Sequence, residues 1–262
     1  MRFSVLSSGS KANSTFVEVC SKRILLDCGL SAKEACRRLV SLGVDPETLD
    51  AIVVTHEHGD HIRGVGVLSR KLKLPVYSNF ATAEFLDGVF AQEIFESGRS
   101  FWVGGAEIKP FSIVHDAADP VGIVVEGEGL KFALATDLGK VTSVVTQSLK
   151  GAHALVVESN HDPEMLLESE YPWVLKQRIS SSHGHLSNQA CSELIFELLH
   201  PELFHIVLGH LSENCNTPDR ALECSKRVVG NLSPRTLICG NAYEPTPLFE
   251  VEPSEIQQRL VG

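Results

Sequence analysis

No run of about 18 apolar residues occurs in this 262-residue sequence, which excludes a membrane-spanning helix. There is no CxxC pair either. The seven cysteines, Cys20, Cys28, Cys36, Cys191, Cys215, Cys224 and Cys239, are odd in number and scattered, so they read as reduced thiols and not as a disulfide framework. Nor is there a surplus of basic residues. Lysine and arginine total 23 against 33 aspartate and glutamate, a net charge of −10. That balance argues against a general nucleic-acid-binding coat, while leaving room for a local basic patch or a site charged by metal. The opening stretch MRFSVLSSGSKANS lacks the apolar core of a signal peptide. No linker, charge block or repeat divides the chain, and 43% hydrophobic residues suffice for a sizeable core. The expectation is a single cytoplasmic domain over residues 1–262, with no membrane partner.

What is present is a chain of short apolar runs alternating with helical patterns. Strands are expected over residues 2–6, 15–19, 23–27, 50–55, 75–78, 102–103, 107–114, 121–126, 130–136, 154–158, 205–209 and 236–239. Helices are expected over 31–42, 61–72, 81–87, 141–149, 187–199 and 218–230, with 162–179 helical in two pieces broken at Pro172. In the helix at 31–42, Ser31 and Glu34 have capping-box spacing and Gly43 supplies the stop. Its buried stripe would be Ala32, Ala35, Cys36 and Leu39, with Lys33, Arg37 and Arg38 facing outward. Both halves run from antiparallel strands to strand–helix alternation, an α/β pattern of two sheet-plus-helix layers.

The sharpest feature is Thr55-His56-Glu57-His58-Gly59-Asp60-His61, directly after an apolar strand. On a bend, His56 and His58 can converge on one ion. Asp60 and His61 open the next element and can reach a second ion beside it. Neutral imidazole and carboxylate suit zinc, iron or manganese. A polar loop with accidental spacing is the plain alternative, and it is a poor one for so dense a motif.

This pattern resembles the H-x-H-x-D-H signature of the metallo-β-lactamase superfamily, and further positions match in order. Asp27, in Leu25-Leu26-Asp27-Cys28-Gly29, matches the strand-end aspartate that braces the metal loop. His115, Asp137 and His210, each after an apolar run, match the third-motif histidine, the bridging aspartate and the final histidine. Ser7–Ser14, Glu158–Asp162, Gly184–Asn188, and His210–Glu213 with Asn216 and Pro218 narrow the resemblance to the YycJ-like (WalJ-like) branch of bacteria. Ala12, Cys215 and His161 depart from that branch's usual residues.

The resemblance implies a four-layer αββα sandwich, two mixed sheets with helices outside. It implies two divalent metal ions (zinc, manganese or iron), one on His56, His58 and His115, the other on Asp60, His61 and His210, with Asp137 bridging. It further implies phosphodiester hydrolysis by a metal-bridging hydroxide, in a DNA 5′-to-3′ exonuclease with Asp60 among its catalytic groups. His185, in Ser181–Ser187, is the candidate donor of the leaving-group proton, with His183 beside it a weaker one.

Other residues carry an ordinary explanation next to a functional one. Ser10 and Asn13 could present hydroxyl and amide groups to a phosphate, or simply turn the chain. His161 and Asn216 are candidate substrate contacts. Tyr171 and Trp173 could stack a base, or pack a helix. Arg63, Arg70, Lys71 and Lys73 could form a local basic patch, or a solvated helix face. His153, His200 and His205 read as structural, and Cys28 as packing. Small-molecule hydrolysis (a thioesterase, lactonase or cyclic phosphodiesterase) on the same site is the alternative function, and a non-catalytic metal-stabilised scaffold a third.

Overall fold

The computed structural model describes residues 1–230 and 234–252, so positions 231–233 and 253–262 of the expected domain lie outside the described residues. Two seven-stranded sheets form, and they share one plan. The first contains β1 (Arg2–Ser7), β2 (Ser14–Val19), β3 (Lys22–Leu26), β4 (Ala51–Val53), β5 (Pro75–Asn79) and β6 (Ala91–Phe95). The second contains β7 (Phe101–Val103), β8 (Ala106–Ser112), β9 (Val121–Gly127), β10 (Leu130–Ala135), β11 (Ala154–Glu158), β12 (His205–Gly209) and β13 (Thr236–Cys239). β14 (Phe249–Glu250) returns to flank β1. In sheet order the first reads β14-β1-β2-β3-β4-β5-β6 and the second β13-β12-β11-β10-β9-β8-β7. Each has an antiparallel half that becomes parallel, at β3–β4 in one and β10–β11 in the other.

Alternation along the strands sends successive side chains to opposite faces, and both faces of each sheet are covered. Ile24, Leu26, Ala51 and Val53 meet Ile123, Phe132, Leu134 and Val156 between the sheets. The intervening residues Leu25, Ile52 and Val54 face the helices α1 (Ala32–Ser41) and α3 (Val65–Leu72). Ala133, Leu155, Val157 and Leu208 face α5 (Ser143–Leu149), α8 (Asn188–Leu198) and α9 (Pro218–Val229). The result is helix, sheet, sheet, helix, the expected four-layer sandwich. Three short helices complete the path, α2 (Gly59–Ile62), α4 (Phe80–Ala83) and α6 (Pro163–Glu168), with α7 (Trp173–Ser180) after Pro172. Among the described residues no helix is long and apolar enough to cross a membrane.

Several local expectations are corrected. The helix expected over 61–72 is two helices, because Gly64 bends away to donate its N–H to the Cys28 carbonyl. A Cβ at Gly64 would lie 2.0 Å from the Leu30 carbonyl oxygen, so only glycine permits that approach. The helix expected over 81–87 covers only Phe80–Ala83. β6 and β14 were not expected at all: both are edge strands defined by backbone pairing to one neighbour, and neither shows an alternating apolar pattern. At α1, Ser31 does accept from the Glu34 N–H, but the Glu34 carboxylate goes to Arg37 and Arg38. Arg38 is not outward. It is buried, donating to the carbonyls of Leu6 and Ala242, and so ties α1 to the end of β1.

Phe132 is fully buried between the sheets, with its ring centroid 5.2 Å from that of Phe3. Phe132→Ala should therefore cost about 3–5 kcal/mol of stability, the range for deleting a core aromatic ring. Urea unfolding measures this; a cost below about 1 kcal/mol would mean that the two sheets do not depend on each other there.

Candidate metal centre

The parallel strands place their carboxyl ends along one edge of each sheet, and the candidate ligands are the residues just beyond those ends. β11 and β12 pair Glu158 with Gly209, so Glu158 and His210 emerge side by side. β10 pairs Ala135 with Val157, which brings Asp137 to the same edge. Across the sandwich, β3 leads to Asp27 and β4 to Thr55 and His56. Asp27, Asp137 and His210 all adopt left-handed backbone, with φ of 58°, 57° and 53°. Few residues other than glycine do so, and three together mark turns held in place by their surroundings. Two residues on, position 29 must be glycine, because a Cβ there would sit 1.6 Å from the Asp60 carbonyl oxygen.

The ligand atoms gather in two adjoining clusters. In the first, His58 Nδ1 lies 3.1 Å from His56 Nε2 and 3.3 Å from His115 Nε2. In the second, His61 Nε2 lies 3.1 Å from Asp137 Oδ2 and His210 Nε2 lies 3.5 Å from Asp137 Oδ1. Asp60 Oδ2 is 3.7 Å from both of those ring nitrogens. Asp137 Oδ1 also comes within 3.7 Å of His115 Nε2, so this carboxylate reaches both clusters.

Two buried carboxylates orient the rings. Asp27 Oδ2 accepts from His61 Nδ1 at 2.8 Å and from the Thr55 hydroxyl at 2.8 Å, while Oδ1 accepts from the Thr55 N–H. With its proton given to Asp27, the Thr55 oxygen is left to accept from His56 Nδ1 at 3.0 Å. Glu158 was not expected as a site residue, yet it is wholly buried and accepts four bonds. Its Oε1 takes His185 Nδ1 and His210 Nδ1, each at 2.8 Å, and its Oε2 takes the N–H groups of Leu138 and Leu186. His115 Nδ1 donates to the Gly184 carbonyl at 3.2 Å. Each bond fixes the proton on Nδ1 and turns the Nε2 lone pair of His56, His61, His115 or His210 inward, the arrangement that outer partners give metal-binding histidines. The signal for Glu158 was available: like Asp27, it is an acid closing an apolar strand.

Charge in the clusters is strongly perturbed. Burial opposes a proton on His61, but Asp137 and Asp27 outweigh it and hold the ring well above the ordinary histidine range. Burial likewise opposes a proton on His210, and Asp137, Asp60 and Glu158 nevertheless lift it to about 10. The Asp137 carboxyl is held well below its usual range, against burial, by His210 and His61. Glu158 falls to about 2, against burial, through His185 and His210. Burial pushes His56 and His115 down. Asp137 Oδ2 and His210 Nε2 are buried and make no hydrogen bond. An orphaned buried polar atom costs about 1–3 kcal/mol, and here two of them lie in one cluster with imidazole and carboxylate around them. A divalent cation fits that donor set, as the fold family implies.

The remaining candidates scatter. His185 is half-buried and lines a cleft with His115, its ring centroid 5.3 Å from that of His115 and 5.0 Å from that of His210. His183 is exposed on the same rim. Asn13 is drawn in, but its amide supports Asp60 Oδ2 at 3.0 Å and closes the Gly9 turn. Ser10 stands exposed on that turn. Asn216 is buried in a reciprocal amide pair with Asn188, and it also binds the carbonyls of Ser159 and Asn160. His161 is buried beside the site, with its Nδ1 unpartnered. Trp173 is 61% exposed, so the packing alternative fails for it. Arg63 is exposed, and Arg70 donates to the Gly88 carbonyl.

The chain is similar to known proteins over most of its length. Residues 22–206 match the family described as the beta-lactamase superfamily domain. The chain is 39% identical over 228 residues to exodeoxyribonuclease WalJ of Streptococcus pneumoniae, covering 84% of this chain and 85% of that protein. It is 38% identical to exodeoxyribonuclease YycJ of Bacillus anthracis over an alignment of 265 residues, covering 98% of each. The crystal structure of the metallo-beta-lactamase fold protein YhfI from Bacillus subtilis superimposes with a TM-score of 0.72 at 15% identity, over 94% of this chain and 98% of that one.

If Glu158 sets the rings, Glu158→Gln, which replaces one acceptor oxygen by a donor, should weaken metal binding by about 10–100-fold. Titration with a competing chelator reads this, and unchanged affinity would contradict the assignment. A second consequence concerns pH. A raised folded-state value for His210 stabilises the metal-free protein fully only below the ordinary histidine value of about 6.5, and that contribution fades as pH climbs toward 10. The melting temperature of chelator-treated protein should accordingly fall from pH 7 to pH 10; a flat or rising profile would contradict the charge assignment.

Proposed function

We propose that this chain, which belongs to the metallo-β-lactamase superfamily, hydrolyses the phosphodiester bonds of DNA from a strand end, as a metal-dependent exonuclease. The observation that carries the reading is the joint one: similarity to exodeoxyribonucleases along the chain, with every ligand position of the two clusters filled by imidazole or carboxylate. His56, His58 and His115 would hold one ion, Asp60, His61 and His210 the other, and Asp137 would touch both. Asp27, Asp60, Asp137 and Glu158 bring four formal negative charges to this region, which two dications would balance at two charges each. Zinc, manganese and iron all suit the donors. Divalent ions held there supply a nucleophilic water near neutral pH and offset charge on the phosphate oxygens.

The chain's own groups complete the reaction. Glu158 holds His185 by Nδ1, leaving Nε2 as the nitrogen free to exchange a proton in the cleft shared with His115. His185 therefore protonates the departing sugar oxygen. Asn13 holds Asp60 in place, and the Gly184 carbonyl holds His115. The direction of attack is 5′ to 3′ in this reading. A second reading, hydrolysis of a small phosphodiester or ester, draws support from the net charge of −10 and from a cleft of only about 210 Å³ at His115 and His185.

End-labelled duplex DNA, RNA and a small phosphodiester reporter, compared as substrates of the metal-loaded protein, separate these readings. The expected result is release of 5′ mononucleotides from DNA, with two metal ions per chain, and loss of activity on chelation and in Asp60→Ala. Turnover confined to the small reporter would replace the first reading by the second. Full turnover at one metal per chain would remove the two-ion account.

A further inference from the structure

Helix α7 has no buried residue, although it lies beside the ligand clusters. It separates two cavities. On one face Leu175, Arg178 and Ile179 line the cleft whose other wall carries His115 and His185. On another face Trp173, Lys176, Gln177 and Ser180, a stripe at helical spacing, line a second cavity of about 220 Å³. Its other walls are His161, Leu166 and Leu167. Lys176 Nζ donates to the carbonyls of Leu167 and Ser169, which ties α7 to the end of α6 and sets the width of this slot.

The slot combines two features that the reaction does not use. Trp173 and Leu167 are 61% and 64% exposed, flat or branched apolar surface offered to solvent. His161, by contrast, is 4% exposed, and its Nδ1 is buried with no hydrogen-bond partner. Leaving such a nitrogen unpaired is costly unless something with a polar edge reaches it. A ligand with a π face for the indole and a polar edge for the imidazole is a nucleobase. The position agrees: the slot and the cleft are the two sides of one helix, and a helix with its side chains is about 10–12 Å across. A strand with a phosphate in the cleft thus has a neighbouring nucleotide within reach of the slot.

We infer that the cavity between α6 and α7 receives a nucleobase of the DNA strand being degraded, stacked on Trp173 and hydrogen-bonded to His161. The inference rests on the DNA reading above and deepens it by naming a specificity subsite.

The test walks a single abasic site through the first nucleotides from the degraded end of an oligonucleotide and measures KM at each position with metal-loaded protein. Wild type should show a rise in KM of about tenfold at one position near the end, the scale of one lost stacking contact. Trp173→Ala should raise KM for intact DNA by a similar factor, and its abasic profile should be flat, because the contact is already gone. Trp173→Phe, which keeps an aromatic face, should keep the peak and controls for folding. A flat profile in wild type, or a peak that persists undiminished in Trp173→Ala, overturns the slot and leaves the exonuclease reading standing. No degradation of any oligonucleotide overturns both.

Discussion

Two buried carboxylates, Asp27 and Glu158, accept hydrogen bonds from the Nδ1–H groups of His61 and His210, and the orientation of both rings follows from that. An imidazole offers a lone pair on one nitrogen only when the other carries the proton. By accepting at Nδ1, each acid settles which nitrogen faces the common centre. The same two acids reach further. Asp27 governs His56 through the Thr55 hydroxyl, and Glu158 governs His185 directly. The carboxylates stand in for one another across the sandwich, one at the end of β3 and one at the end of β11. The His/Asp clusters are therefore held from both sheets.

Such an arrangement needs backbone that ordinary strands do not provide. The chain leaves β3, β10 and β12 through left-handed residues at Asp27, beyond Thr136 at Asp137, and at His210. These conformations are tolerated because neighbouring segments pin them. The Asp27 N–H is bound by the Val53 carbonyl and the His210 N–H by the Ser8 hydroxyl. Glycines allow the closest passages: a Cβ at Gly139 would lie 2.3 Å from the Ser182 carbonyl oxygen, and one at Gly184 2.2 Å from that of Arg178. These contacts press the His183–His185 loop onto the turn after Asp137. The loop that carries His185 is thus fixed by packing at glycine, while the imidazole rings of the two clusters are fixed by hydrogen bonds.

Much of this was legible in the residues themselves. The dense motif at His56–His61 stands out by itself, whereas His115, Asp137 and His210, each a polar residue after an apolar run, are singled out by the family resemblance and by their order along the chain. The two-layer plan was visible in the shift from hairpins to strand–helix alternation. Other features carry weaker local signals. Glu158 has the same strand-end placement as Asp27, but no second polar residue in sequence announces its two histidine partners, which come from positions 185 and 210. Arg38 looks like a solvated helix residue until the Ala242 segment folds over it. Asn216 and Asn188 lie 28 residues apart, and their reciprocal pairing exists only in the fold. Edge strands β6 and β14 are made by their partners' backbones, and side-chain pattern does not encode them.

The most direct test of the account is which ring nitrogen meets the metal. Nitrogen-15 spectra of histidine-labelled protein loaded with cadmium-113 report the bonded nitrogen through its coupling to the metal. The account predicts coupling at Nε2 of His56, His61, His115 and His210 and at Nδ1 of His58, with uncoupled, protonated Nδ1 on His61 and His210. Coupling at Nδ1 of either His61 or His210 would contradict it, because Asp27 or Glu158 would then not be setting the ring.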